Sequence, residues 1–79
     1  MTLDGAPTGL PMTVLSAHAA SISVTRRLAE MGIRTGVVLR ILSRTSGGGA
    51  ILAIADDRLA VSRSILASIQ VTEEVPAHG

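Results

Sequence analysis

A chain that is nearly half hydrophobic yet carries no aromatic ring is held to a narrow set of folds. Hydrophobic residues make up 47% of the 79, and Phe, Tyr and Trp are all absent. Leu, Ile, Val, Met and Ala must therefore fill the whole core. Branched aliphatic side chains favour strands and suit the interior of a thin barrel. Folding has to offset roughly 1–2 kcal/mol of conformational entropy per residue. Apolar burial, at about 25 cal/mol per Å², exceeds that only narrowly in a chain this short. The length predicts one domain over residues 1–79, with a flexible tail over about 73–79.

Several function classes fall away on the same reading. There is no cysteine, so disulfides, thiolate chemistry and cysteine zinc sites are excluded. The stretch Met1 to Met12 has two prolines and no basic residue, unlike a signal peptide. The longest apolar run, Ala50 to Ala55, is far below the ~20 residues of a membrane span. A cytoplasmic protein with no direct membrane insertion is the expectation. Net charge is +1, from seven Arg and no Lys. Nucleic-acid binders combine dense positive charge with stacking aromatics, and neither is present.

The pattern along the chain predicts strands, turns and one helix. Thr2 to Gly9 reads as an irregular lead-in, and Pro11 to His18 as a first strand. Val24, Leu28 and Met31 recur at i, i+4 and i+7, which predicts a helix over Ser23 to Gly32 with Ser23 as its N-cap. Gly32 would end it in the left-handed conformation, with Ile33 folding back on Leu28. Arg34-Thr35-Gly36 turns the chain into a strand from Val37 to Arg44. Ser46 to Gly49 reads as a loose hairpin leading to a strand from Ala50 to Ala55. A turn at Asp56-Asp57 precedes a strand over Arg58 to Ser62. Ser64 to Ala67 reads as a helical turn, and Ile69 with Val71 as the inward side of a last strand. The fold class is mainly β: a small five-stranded antiparallel barrel with one short α-helix and a further helical turn.

The order of these features resembles the FeoA family, the small cytosolic component of bacterial ferrous-iron uptake. The likeness is carried by Arg27-Leu28, Met31-Gly32, Gly36, Leu59-Ala60-Val61 followed by Arg63, and Ile69-Gln70-Val71, and it extends from Thr2 to about Thr72. The resemblance implies an SH3-like barrel, with Leu28, Gly32, Ile33 and Gly36 as structural motif residues. It also implies an accessory to FeoB, the ferrous-iron transporter with a cytosolic GTPase domain. A similar barrel closes metal-dependent repressors, where it makes protein contacts. One departure stands out: the family's Leu-Gly-Asp-Pro hairpin reads Ser46-Gly47-Gly48-Gly49 here.

No residue constellation points to catalysis. The Gly47-Gly48-Gly49 run lacks the lysine of a P-loop, and the chain has none. Asp56-Asp57 reads as turn chemistry, since adjacent turn carboxylates point apart. No serine sits in a Gly-x-Ser-x-Gly elbow. His18 and His78 are the only imidazoles, and neither has a partner at a metal-ligand spacing. No catalytic residue, metal site or cofactor is predicted. The rival to a docking module is a metal-binding or metal-sensing protein using His18 with carboxylates among Asp4, Glu30, Asp56, Asp57, Glu73 and Glu74.

The candidate partner-binding residues lie on the Val37 to Arg44 strand and the helix before it. Alternation puts Val37, Leu39 and Ile41 on one face and Val38, Arg40, Leu42 and Arg44 on the other. The second face is either ordinary core beneath the helix or a wet surface that a partner covers. Arg26 and Arg27 on the helix add positive charge that would steer docking to an acidic partner. The expected partners are a FeoB-type cytosolic domain and, as a further possibility, a second copy of the chain.

Overall fold

The computed structural model describes residues 1–17 and 21–73. Five strands form one antiparallel sheet: β1 (Met12–Ala17), β2 (Val38–Arg44), β3 (Ala50–Ile54), β4 (Asp57–Val61) and β5 (Ile69–Glu73). Their spatial order is β4-β3-β2-β1-β5. Two helices, α1 (Ile22–Glu30) and α2 (Arg63–Ala67), complete it with short 3-10 turns at Leu3–Gly5 and Ser46–Gly48. The mainly β, five-stranded antiparallel architecture expected from alternation is the one observed. His18 and the tail beyond Glu73 lie outside the described residues.

Alternation decides which side chains make the core. Met12 and Val14 of β1, Leu39 and Ile41 of β2, Leu52 and Ile54 of β3, and Ile69 and Val71 of β5 are all buried. The register sets them in facing pairs: Met12 with Leu39, Ile41 with Leu52, Val14 with Val71. Cross-strand aliphatic pairs of this kind are the unit of sheet stability. Leu28, Ile33 and Leu66 join the same cluster from the helical segments.

Two interruptions break simple alternation. Register slips by one residue at Leu15 in β1 and at Leu42 in β2. An extra residue in one strand reverses the facing of everything after it. Ala17 therefore pairs with buried Ile69, and Arg44 pairs with buried Ala50. Arg44 thus leaves the face on which strict alternation placed it with Val38 and Arg40.

The lead-in is not a loose segment. Leu3 and Ala6 are fully or almost fully buried, and α2 packs against the Leu3–Gly5 turn. Thr2 bridges Gln70, and the Val71 N–H donates to the Met1 carbonyl at 2.8 Å. The outer edge of β5 is thereby covered. Further on, Thr8 bridges Ile41 in parallel, and the Gly9 N–H donates to the Ile41 carbonyl at 2.7 Å. This strap takes over where β1 stops pairing with β2.

Helix α1 begins two residues earlier than its apolar spacing suggests. Ser21, not Ser23, is the N-cap, and its hydroxyl accepts from the Val24 N–H at 3.1 Å. At the other end the Ile33 N–H donates to the Leu28 carbonyl (2.9 Å) and the Gly32 N–H to the Ala29 carbonyl (3.1 Å). These are the paired bonds of a Schellman ending, with Gly32 at φ +96° as it requires. The hydrophobic latch is formed by Leu28 and Ile33, each about 1% exposed. Gly36 then turns the chain toward β2, its N–H donating to the Val14 carbonyl at 2.8 Å.

The glycine hairpin is tight, where the sequence suggested a loose connection. The Thr45 N–H donates to the Gly49 carbonyl at 2.9 Å. A Cβ on Gly49 would meet the Thr45 hydroxyl and the Val61 carbonyl, each at 2.7 Å. No side chain fits there without displacing backbone. The hairpin is thus pressed onto the end of β4.

The helix ending generates a test. Leu28→Ala should cost about 2–5 kcal/mol through lost packing and the cavity it leaves. Gly32→Val should also be severe, because a β-branched residue resists positive φ. Urea denaturation of both variants checks this, and midpoints matching the parent protein would show that the latch carries no stability.

Candidate functional site

The outer face of β2 is open. Val38 is 40% exposed and Leu42 37%, while Leu39 and Ile41 between them are buried. Helix α1 does not cover this face, so the reading of Val38 and Leu42 as ordinary core gives way to an exposed surface. Val38 and Arg40 line a shallow depression of about 220 Å³ with Pro11, Ala53 and Ala55. Cross-strand neighbours are Thr13 opposite Val38 and Ala53 opposite Arg40. Small neighbours leave the larger side chains standing proud.

The structure brings together some of the candidate residues and separates others. Val38, Arg40 and Leu42 share the outer face. Arg44, turned inward by the bulge, donates from its guanidinium to the Ala6 carbonyl at 2.7 Å. It clamps the lead-in strap to β2. Arg26 is exposed on α1. Arg27 lines a different recess, formed by α1, β4 and α2, which shares no residue with the β2 depression. The bulge that moves Arg44 leaves no mark in the sequence, because Leu42 looks like any strand residue.

Among the described residues, no three His, Asp or Glu side chains are placed to hold a metal ion. His18 and His78, on which a metal site would depend, lie outside those residues. No described helix is long and apolar enough to cross a membrane. The geometry is that of a small β-module that presents surfaces and lacks a deep cleft.

Comparison with known proteins defines the class. The FeoA domain family matches residues 1–73, so the chain belongs to the FeoA family, a transport accessory family linked to ferrous iron. FeoA of Chlorobium tepidum is 26% identical, with a TM-score of 0.85 over 95% of this chain and 71% of that one. Stenotrophomonas maltophilia FeoA, an SH3-domain protein solved as a zinc complex, is 25% identical. Its TM-score is 0.79, over 91% of this chain and 89% of its own. A manganese-dependent transcriptional repressor superposes with a TM-score of 0.84 at 24% identity, over 94% of this chain and 41% of its own, a likeness of fold. No curated protein matches the chain significantly in sequence. The SH3-like barrel implied by the sequence resemblance is the fold found.

The two arginines of β2 should behave differently. Arg44→Ala removes a charged donor from a backbone carbonyl and should cost about 1 kcal/mol. Arg40→Ala, with no such bond, should change stability by less than about 0.5 kcal/mol. Thermal melts of the two variants distinguish them, and equal losses would contradict the assignment.

Proposed function

We propose that this chain is a non-catalytic, cytoplasmic accessory of ferrous-iron uptake. It docks on the cytosolic, GTPase-bearing part of a FeoB-type transporter and modulates it. The observation that supports the docking face is the outer side of β2. There, two large aliphatics flank Arg40 in the open, on a strand whose other side is fully buried core. An apolar patch with an embedded arginine suits a protein interface, where arginine and large hydrophobics are enriched. Family membership supplies the partner class. The missing lysine and the missing phosphate loop argue against nucleotide hydrolysis by this chain.

A second reading, transition-metal binding through His18 and neighbouring carboxylates, draws on the zinc complex of the Stenotrophomonas maltophilia relative. Calorimetric titration with ferrous iron or zinc separates the two. Tight 1:1 binding lost on His18→Ala would favour the metal reading.

Leu42→Asp tests the docking face directly. Leu42 is exposed and sits at a bulge, so the variant should stay folded and melt within about 2 °C of the parent, as surface changes usually do. It should lose pull-down of the transporter's cytosolic domain. A folded Leu42→Asp protein that binds this domain normally would remove the face from consideration.

A further inference from the structure

We propose that the groove between α1 and the free edge of β4 is a second binding site, which takes an extended acidic and apolar peptide segment as a sixth strand. This goes beyond the docking reading and does not rest on it, because the groove shares no lining residue with the outer face of β2.

The edge comes first. β4 ends the sheet, and among the described residues it pairs only with β3. The opposite edge, β5, is covered by the Thr2 bridge and the Met1 carbonyl. One edge is thus closed by the chain itself and the other left open. An open edge is a row of unpaired N–H and C=O groups, a template for another strand.

The groove runs along that edge. Its strand side is Leu59, Ala60, Val61 and Ser62. Side chains of consecutive strand residues alternate between faces, so a recess reaches all four only by following the backbone edge. Its helix side is Val24, Arg27, Leu28 and Met31, at i, i+3, i+4 and i+7, a single stripe of α1. Ile65 of α2 completes the lining of a space of about 290 Å³, near the lower end of the range for binding pockets, about 300–1,000 Å³. Of α1 only Leu28 is buried, and Met31 is 38% exposed. The apolar stripe is therefore only partly used by the fold.

These features select the occupant. A strand edge beside a helix accepts main chain by β-addition, and pockets for alternate side chains give specificity. A helical ligand would leave the edge groups of β4 unpaired. Alternate apolar side chains of an extended segment would fall on Val24, Met31, Leu59 and Ile65. Arg27 lines the recess, Arg58 is exposed on β4, and no carboxylate lines it; Glu30 and Asp57 stand outside the lining. The intervening residues of the ligand are therefore acidic. A second copy pairing through its own β4 would bring both Asp57 and Arg58, and so no net negative charge to meet Arg27.

The test uses the full chain, labelled with nitrogen-15, and the peptide acetyl-Glu-Val-Glu-Leu-Glu-Val-amide as probe. Amide shifts should concentrate in residues 57–62 and along the Val24–Met31 stripe, with slowed hydrogen exchange on β4. Extended strands direct alternate N–H groups to opposite edges, so N-methylating one alternate set of probe residues should weaken binding by about tenfold or more, while methylating the other set should not. Arg27→Glu should weaken it by about tenfold or more and Arg40→Glu should leave it unchanged. The proposal is overturned if both methylated probes bind equally, if glutamine replaces glutamate in the probe without loss, or if shifts map to β2. It is also overturned if the free protein sediments as a dimer with β4 amides already protected. Loss of transporter docking in Leu42→Asp with probe binding intact would leave this site standing alone.

Discussion

Everything in this fold depends on closing a core that contains no ring. An aromatic side chain brings a large buried area in one residue, whereas here the same area has to be assembled from many branched aliphatics. Each contributes only about 1.5–3 kcal/mol when fully buried, so the chain recruits them from every segment. Leu3 comes from the lead-in, Leu28 and Ile33 from the ends of α1, and Leu66 from α2. The lead-in is consequently part of the barrel: it carries a core residue and caps β5 while strapping β2. A larger core residue would have made that strap dispensable.

The same economy explains the exposed leucines. Leu15 and Leu42, 51% and 37% exposed, both sit where the register slips. A bulge lets a strand bend and change partners without losing its inward series. β2 uses its bulge to pass from β1, which pairs with it at Val38 and Leu39, to the strap at Ile41. The extra residue has nowhere to go but outward. Curvature that closes the barrel thereby places an aliphatic side chain on the outer face, beside Val38 and Arg40. Closing the core and presenting a docking surface are consequences of one backbone device.

Much of this was legible in the residues, and the gaps have physical causes. The Leu28, Gly32 and Ile33 ending could be read because a Schellman motif leaves a fixed signature of glycine and two apolar positions. Strand spans came within a residue or two, since turns at Gly36 and around Asp56 bound them. The N-cap was misplaced because Ser21 and Ser23 are chemically alike, and only the chain's entry geometry chooses between them. The bulges were invisible, for no residue type demands one, and Arg44 was consequently set on the wrong face. The lead-in was undervalued because bridges at Thr2 and Thr8 are long-range pairings with no local pattern. The groove beside β4 depends on where α1 sits relative to a sheet edge, which spacing does not encode.

The arginines show how a nearly neutral chain divides its charge between structure and recognition. Seven Arg and no Lys is a choice of side-chain geometry as well as of charge, since a guanidinium presents donors in a fixed plane and an ammonium does not. Arg44 spends that geometry on the Ala6 carbonyl at 2.7 Å. Arg34 does the same on the Ala29 carbonyl at 2.9 Å, near the negative end of α1. Both act as backbone clamps, one fixing the strap and the other the helix ending. Arg40 instead stands on the outer face of β2, and Arg27 lines the α1–β4 groove. Rim charges of that kind set association rate and partner choice more than raw affinity. A chain with a net charge of +1 attracts acidic surfaces only weakly at long range, so selectivity has to arise at contact, where an arginine plane meets a carboxylate beside apolar surface.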